Sequence, residues 1–186
     1  MAEIQRLSRG GEIAGEASAH CARWIDLALG MGAADAVPFV IADIAFDPRT
    51  LLKCMYGCDD WGKLHTCPSR PRGPGTSEYR DMFGRYRWGV IVHTHEKKPA
   101  QRISYEIERQ AFLAGYPLAF SLSDCGLCER CAGHDGEPCR FPQKARPAFH
   151  SVGIDVFATA RRFGLPLEPL RDPEQEQNWY AAAFIE

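Results

Sequence analysis

Several classes of protein are set aside by what this sequence does not contain. No apolar run approaches the roughly 18 residues of a membrane-spanning helix. The first residues, MAEIQRLSRGGEIAGE, have no apolar core and no small-residue cleavage site, so they do not read as a secretory signal. Charge of neither sign dominates: the formal net charge is −2 and the pI about 6.3. No positive field is therefore available to gather nucleic acid or an anionic membrane, and neither is expected as a partner. A P-loop, GxGxxG, GxSxG or HExxH is also missing, so nothing indicates nucleotide-dependent or serine-based chemistry. Internal repeats and low-complexity tracts are absent as well. What remains is an ordinary globular composition, 45% apolar and 25% charged, long enough at 186 residues to bury a core as one domain, 1–186.

Cysteine is abundant. Eight are present, and seven fall into two runs. With no secretory signal, the expected compartment is the cytoplasm. In a reducing compartment, clustered cysteines serve metals or redox chemistry more often than disulfides.

The patterning between the runs predicts an α/β domain. Ala14, Ala17, Cys21, Trp24, Ala28 and Met31 form one stripe of an amphipathic helix over 13–31, and Cys21 on it reads as a small hydrophobe. VPFVIADIAF (37–46) reads as a buried strand, and TSEYRDMFGRY (76–86) as a short helix capped by Thr76 or Ser77. RWGVIVHTH (87–95) is a strand. A helix entered at Pro99 presents Ile103, Ile107, Ala111 and Ala114 and stops at Gly115, and PLAFSLS (117–123) is the next strand. This succession predicts a right-handed βαβ unit in a small mixed sheet, with cysteine-rich metal-binding loops leaving its strands. Helical segments near 147–152 and 154–163, the latter closed by Gly164, precede a strand over 178–185, whose apolar end, Ala183-Phe184-Ile185, offers an edge to a second copy. The oligomeric state is otherwise open.

The second run, Cys125-x2-Cys128-x2-Cys131-x7-Cys139, carries the most information. Zinc sites use two CxxC knuckles set apart in sequence. Consecutive two-residue gaps instead wrap one loop around three corners of an iron–sulfur cubane, and a later cysteine completes the site. Arg130, Arg140, Lys144 and Arg146 could offset the cluster's negative charge. Gly126, Gly133 and Gly136 permit tight backbone around sulfur.

The first run, Cys54-x3-Cys58-x8-Cys67, has three cysteines. Three thiolates leave a fourth iron open to Asp59, Asp60, His65, a thiolate from elsewhere or an exogenous ligand. Cys139 could also cross to this site, as the fourth cysteine does in two-cluster ferredoxins. An open-site cubane is used in radical S-adenosylmethionine chemistry too, but the spacing is not CxxxCxxC and the chain is short for a full barrel. Tyr56 and Trp61 could shield a cluster. His93 and His95, two apart on a strand, share a face, where packing is the commoner role than metal binding.

Taken together, CMYGCDDWGKLHTCP (54–68), CGLCERCAGHDGEPCRFPQKARP (125–147) and HSVGIDVFATARRFGL (150–165) resemble an uncharacterised cysteine-rich family of predicted metal-binding proteins common in anaerobic bacteria and archaea. The resemblance spans most of 50–185. It departs where the family's first run ends Cys-Pro-Pro and this one ends Cys67-Pro68-Ser69, which leaves the ligand set intact. It implies metal binding of the iron–sulfur kind through Cys54, Cys58, Cys67, Cys125, Cys128, Cys131 and Cys139, and it supplies no substrate. The expectation is one or two [4Fe–4S] clusters serving electron transfer or an accessory role in anaerobic redox metabolism, with a redox partner protein. The rivals are an enzyme using the open three-cysteine site and a zinc-binding structural or interaction module.

Overall fold

The computed structural model describes residues 20–70, 73–172 and 174–186. The first part of the expected N-terminal helix, with Ala14 and Ala17, lies outside these residues, as do positions 71 and 72 of the loop before Gly73.

Helix α1 (20–30) buries the predicted stripe: Cys21, Trp24 and Ala28 are fully enclosed. Strand β1 (Asp35–Val40) follows, then α2 (Thr50–Gly57), α3 (Thr76–Phe83), β2 (Trp88–Thr94), α4 (Lys97–Leu113), β3 (Phe120–Ser123), α5 (Val156–Arg162) and β4 (Trp179–Phe184). The strand expected over 37–46 is shorter than its apolar pattern. It ends at Val40, where Ile41–Asp43 turn as a 3-10 helix and tuck Ile44 beneath the sheet. Pro38 explains why this strand is half-buried at an edge, since proline has no N–H to give a ladder. The cap of α3 also differs: Gly75 is the N-cap, and the Glu78 carboxylate accepts its N–H at 2.8 Å.

The four strands stand in the order β1-β2-β4-β3, and every pairing is antiparallel. The α/β character holds, but the sheet is not mixed. Strands β2 and β3 do run in the same direction around α4. Yet β4, the last strand of the chain, inserts between them, so the βαβ unit is split. Strand β4 has hydrogen-bonded partners on both sides and offers no edge to a second copy.

Alternation along the central strands builds two cores. Trp88, Val90, Val92, Ala181 and Ala183 face α1 and α4, where Ile103, Ile107 and Ala111 are fully buried. Ile91, Ala182 and Phe184 face the other way, against Phe83, Phe149, Val152 and Ile154. Helix α4 turns off at Gly115 with φ +96°, as its sequence predicts. Both cysteine runs grow out of this frame. The first begins on α2, and the second leaves the end of β3. Among the described residues, no helix is long and apolar enough to cross a membrane.

Candidate metal centre

The second run folds as a loop closed on itself. Cys125, Cys128, Cys131 and Cys139 all line one cavity, together with Leu64, His65, Leu127, Phe141 and Arg140. The loop has little regular structure beyond a 3-10 turn over Ala132–Asp135, closed by Gly136 at φ +74°. It is held instead by helix α4. The Gly126 N–H donates to Gln101 Oε1 at 2.6 Å, and Gln101 Nε2 reaches Lys144 O at 3.4 Å and Cys125 Sγ at 3.9 Å. Two helical turns further along, the Glu108 carboxylate accepts from the Arg146 guanidinium and from the Ser121 N–H and hydroxyl. Arg146 is only 8% exposed, so its charge is committed to Glu108 and does not serve the thiols. Arg130 is likewise taken by Asp135 at 2.6 Å. Of the expected cations, Arg140 is the one that lines the cavity.

The first run is not simply a loop. Cys54 sits inside α2, buried, and Cys58 is that helix's C-cap. The helix starts where Asp47 accepts the Arg49 N–H and the Thr50 hydroxyl donates to the Asp47 carbonyl, a turn readable in FDPRT but overlooked beside the cysteines. Burial pushes the Cys54 thiol up to about 11, and the neighbouring charges of Cys58, Cys67 and Asp124 add to the shift. The three cysteines thus share one electrostatic neighbourhood. Asp124, one residue before the second run, adds to the shift of Cys54 from the end of β3. The Cys67 sulfur accepts the Ser69 hydroxyl at 2.9 Å and the Gly62 N–H at 3.4 Å. Ser69 is the residue that departs from the Cys-Pro-Pro pattern.

Two of the three expected non-cysteine ligands of this site, Asp60 and His65, have other partners. Asp60 pairs with His134 Nε2 at 3.2 Å, and His65 Nε2 donates to Glu137 O at 2.8 Å. Both contacts run from the first cysteine run to the second. Gly133 packs into the same seam: a Cβ there would stand 2.2 Å from the Lys63 carbonyl oxygen. Cys139 lines the cavity of its own run and also a groove that it shares with Cys67. The two cysteine runs are therefore neighbours with a common wall.

Tyr56 is 83% exposed and shields nothing. His93 is buried, with Nδ1 2.7 Å from Asp35 Oδ2 and Nε2 2.8 Å from Asn178 Oδ1, so both ring nitrogens are engaged by protein groups. His95 lies beyond the end of β2. Cys21 donates to Gly89 O at 3.3 Å from inside the core, and burial pushes its thiol up to about 12. Among the described residues, no three His, Cys, Asp or Glu side chains converge tightly enough to hold a single metal ion. The four cysteines of the second run surround a space instead. Four cysteines lining one apolar-walled cavity, with a side-chain amide 3.9 Å from Cys125 Sγ, fit a thiolate-bound metal group.

Residues 38–185 match the model of a family described as predicted metal-binding protein (DUF2284), and the chain belongs to that family. No curated protein and no solved structure matches it.

Proposed function

We propose that this protein binds iron–sulfur clusters and handles electrons in a cytoplasmic redox system. The observation that carries this reading is the convergence of Cys125, Cys128, Cys131 and Cys139, spaced as a cubane loop, on one cavity. These four would hold a fully ligated [4Fe–4S] cluster, which supplies one-electron chemistry when bound. Cys54, Cys58 and Cys67 would hold a second cluster with one iron not bound by cysteine. The wall shared by the two sites supports electron passage between them and outward to a redox partner protein. A nucleic acid or membrane partner has no support in the charge distribution.

A second reading is favoured by the first site alone. Three cysteines with no fourth cysteine in the run leave a position for a small-molecule ligand, which would make that cluster a Lewis-acid or reductive centre. Zinc held as a structural staple is the remaining alternative.

Anaerobic purification followed by iron, sulfide and zinc analysis and EPR tests these readings. Roughly eight irons per chain are expected for two cubanes. Roughly four would restrict the cluster to one run, and Cys→Ser changes in each would show which. An EPR change on adding small ligands would favour the open site. Stoichiometric zinc in a colourless protein would overturn the redox reading.

A further inference from the structure

We propose that Gln101 is the positioning residue of the Cys125–Cys139 site, latching both ends of the loop to α4 and donating a hydrogen bond to the Cys125 sulfur. The proposal deepens the metal–thiolate reading above and rests on it.

Gln101 is 3% exposed, on the face of α4 that carries Ser104 and Glu108, beside the apolar stripe of the helix. A buried amide is costly unless its polar atoms are satisfied. The side-chain contacts that satisfy this one go to the cysteine loop and to the segment that follows it. The oxygen takes the Gly126 N–H at the loop's entry, at 2.6 Å, and the nitrogen reaches Lys144 O at its exit, at 3.4 Å. Loop entry and exit are thereby fastened to one rigid side chain. Without that, the ordering entropy of a segment with so little regular structure would fall on metal binding itself.

The same nitrogen lies 3.9 Å from Cys125 Sγ. An N–H directed at a ligand sulfur favours the more negative state of the group it binds, so its loss lowers the reduction potential. Ser123 closes β3 two residues before Cys125. By strand alternation it shares the face of Ser121, which bonds to Glu108 of α4, and its buried hydroxyl has no hydrogen-bond partner among the described residues.

Two variants separate the two roles. Gln101→Met keeps the volume and removes both polar atoms. Gln101→Glu keeps the acceptor for Gly126 and removes the donor. Hydrogen exchange of the Gly126 amide in the metal-free protein is expected to accelerate about tenfold or more in Gln101→Met and to stay protected in Gln101→Glu. Metal release to a chelator is expected to accelerate about 10- to 100-fold in both, the usual range for residues that support a ligand. The cluster's midpoint potential, read by EPR-monitored titration, is expected to fall in both. Wild-type exchange and release in Gln101→Met would overturn the latch. An unchanged potential in both variants would overturn the sulfur contact. If the wild-type protein holds only zinc, the iron–sulfur reading fails, while amide exchange and zinc release still decide the latch. Should Gln101→Met not fold, Gln101→Glu carries the release and potential tests alone.

Discussion

One buried thiol, Cys21, stands apart from the two cysteine runs. Cys21 sits in the core with its proton given to Gly89 O, and burial holds it in the neutral form. The unfolded chain has no such constraint. Between the ordinary thiol value of 9.0 and about 12, the unfolded state releases a proton that the folded state retains. Stability from this group is therefore fully present below pH 9.0 and is lost as pH rises towards 12, with a slope of up to about 1.4 kcal/mol per pH unit. Chemical denaturation of the metal-free protein across this window should show the decline, and Cys21→Ala should flatten it. An identical alkaline slope in the variant would mean that Cys21 is not the group responsible. The residues that hold sulfur in the other runs escaped detection for a related reason. Gln101 and Ser69 belong to no spacing rule, and only their neighbours make them relevant.

At the level of elements, helices were more legible than strand pairings. The 3.6-residue pattern of α4 and the stop at Gly115 are local properties, and the structure keeps them. The sheet order is not local. Three consecutive alanines, Ala181 to Ala183, let β4 lie at the centre with a helix pressed on one face and aromatic rings on the other. Strand β2 makes a matching concession at Gly89. A Cβ there would stand 2.2 Å from the Ala183 carbonyl oxygen and 2.6 Å from the Phe39 ring, which covers the glycine from β1. Gly89→Ala should therefore spread the β1-β2-β4 pairing and cost on the order of 2 kcal/mol. A denaturation midpoint equal to that of the wild type would show that Phe39 can move aside at no cost.

For the whole molecule, the decisive feature is the seam between the two cysteine runs, 54–67 and 125–139. It joins segments far apart in sequence through Asp60 with His134, His65 with the Glu137 carbonyl, and Gly133 against Lys63. Gly133→Ala would drive a methyl group into the Lys63 carbonyl and push the runs apart. Metal content should fall at both sites, while the thermal transition of the core changes little, because the seam lies outside both apolar clusters. Loss confined to the second site, read by EPR after Cys→Ser changes have assigned the signals, would show that the sites load independently.

The sequence by itself determined the grouping of seven cysteines into two runs, the α/β elements and the sorting of Cys21 into the core. Each depends on residue type and short spacing, which survive in a linear reading. Tertiary structure decided that β4 would split the βαβ unit, that Cys54 would ride on a helix, that Arg146 would answer Glu108 rather than sulfur, and that the two runs would share a wall. Those outcomes turn on contacts between segments tens of residues apart, where close packing and the need to satisfy each buried polar group select one arrangement from many that the local pattern allows.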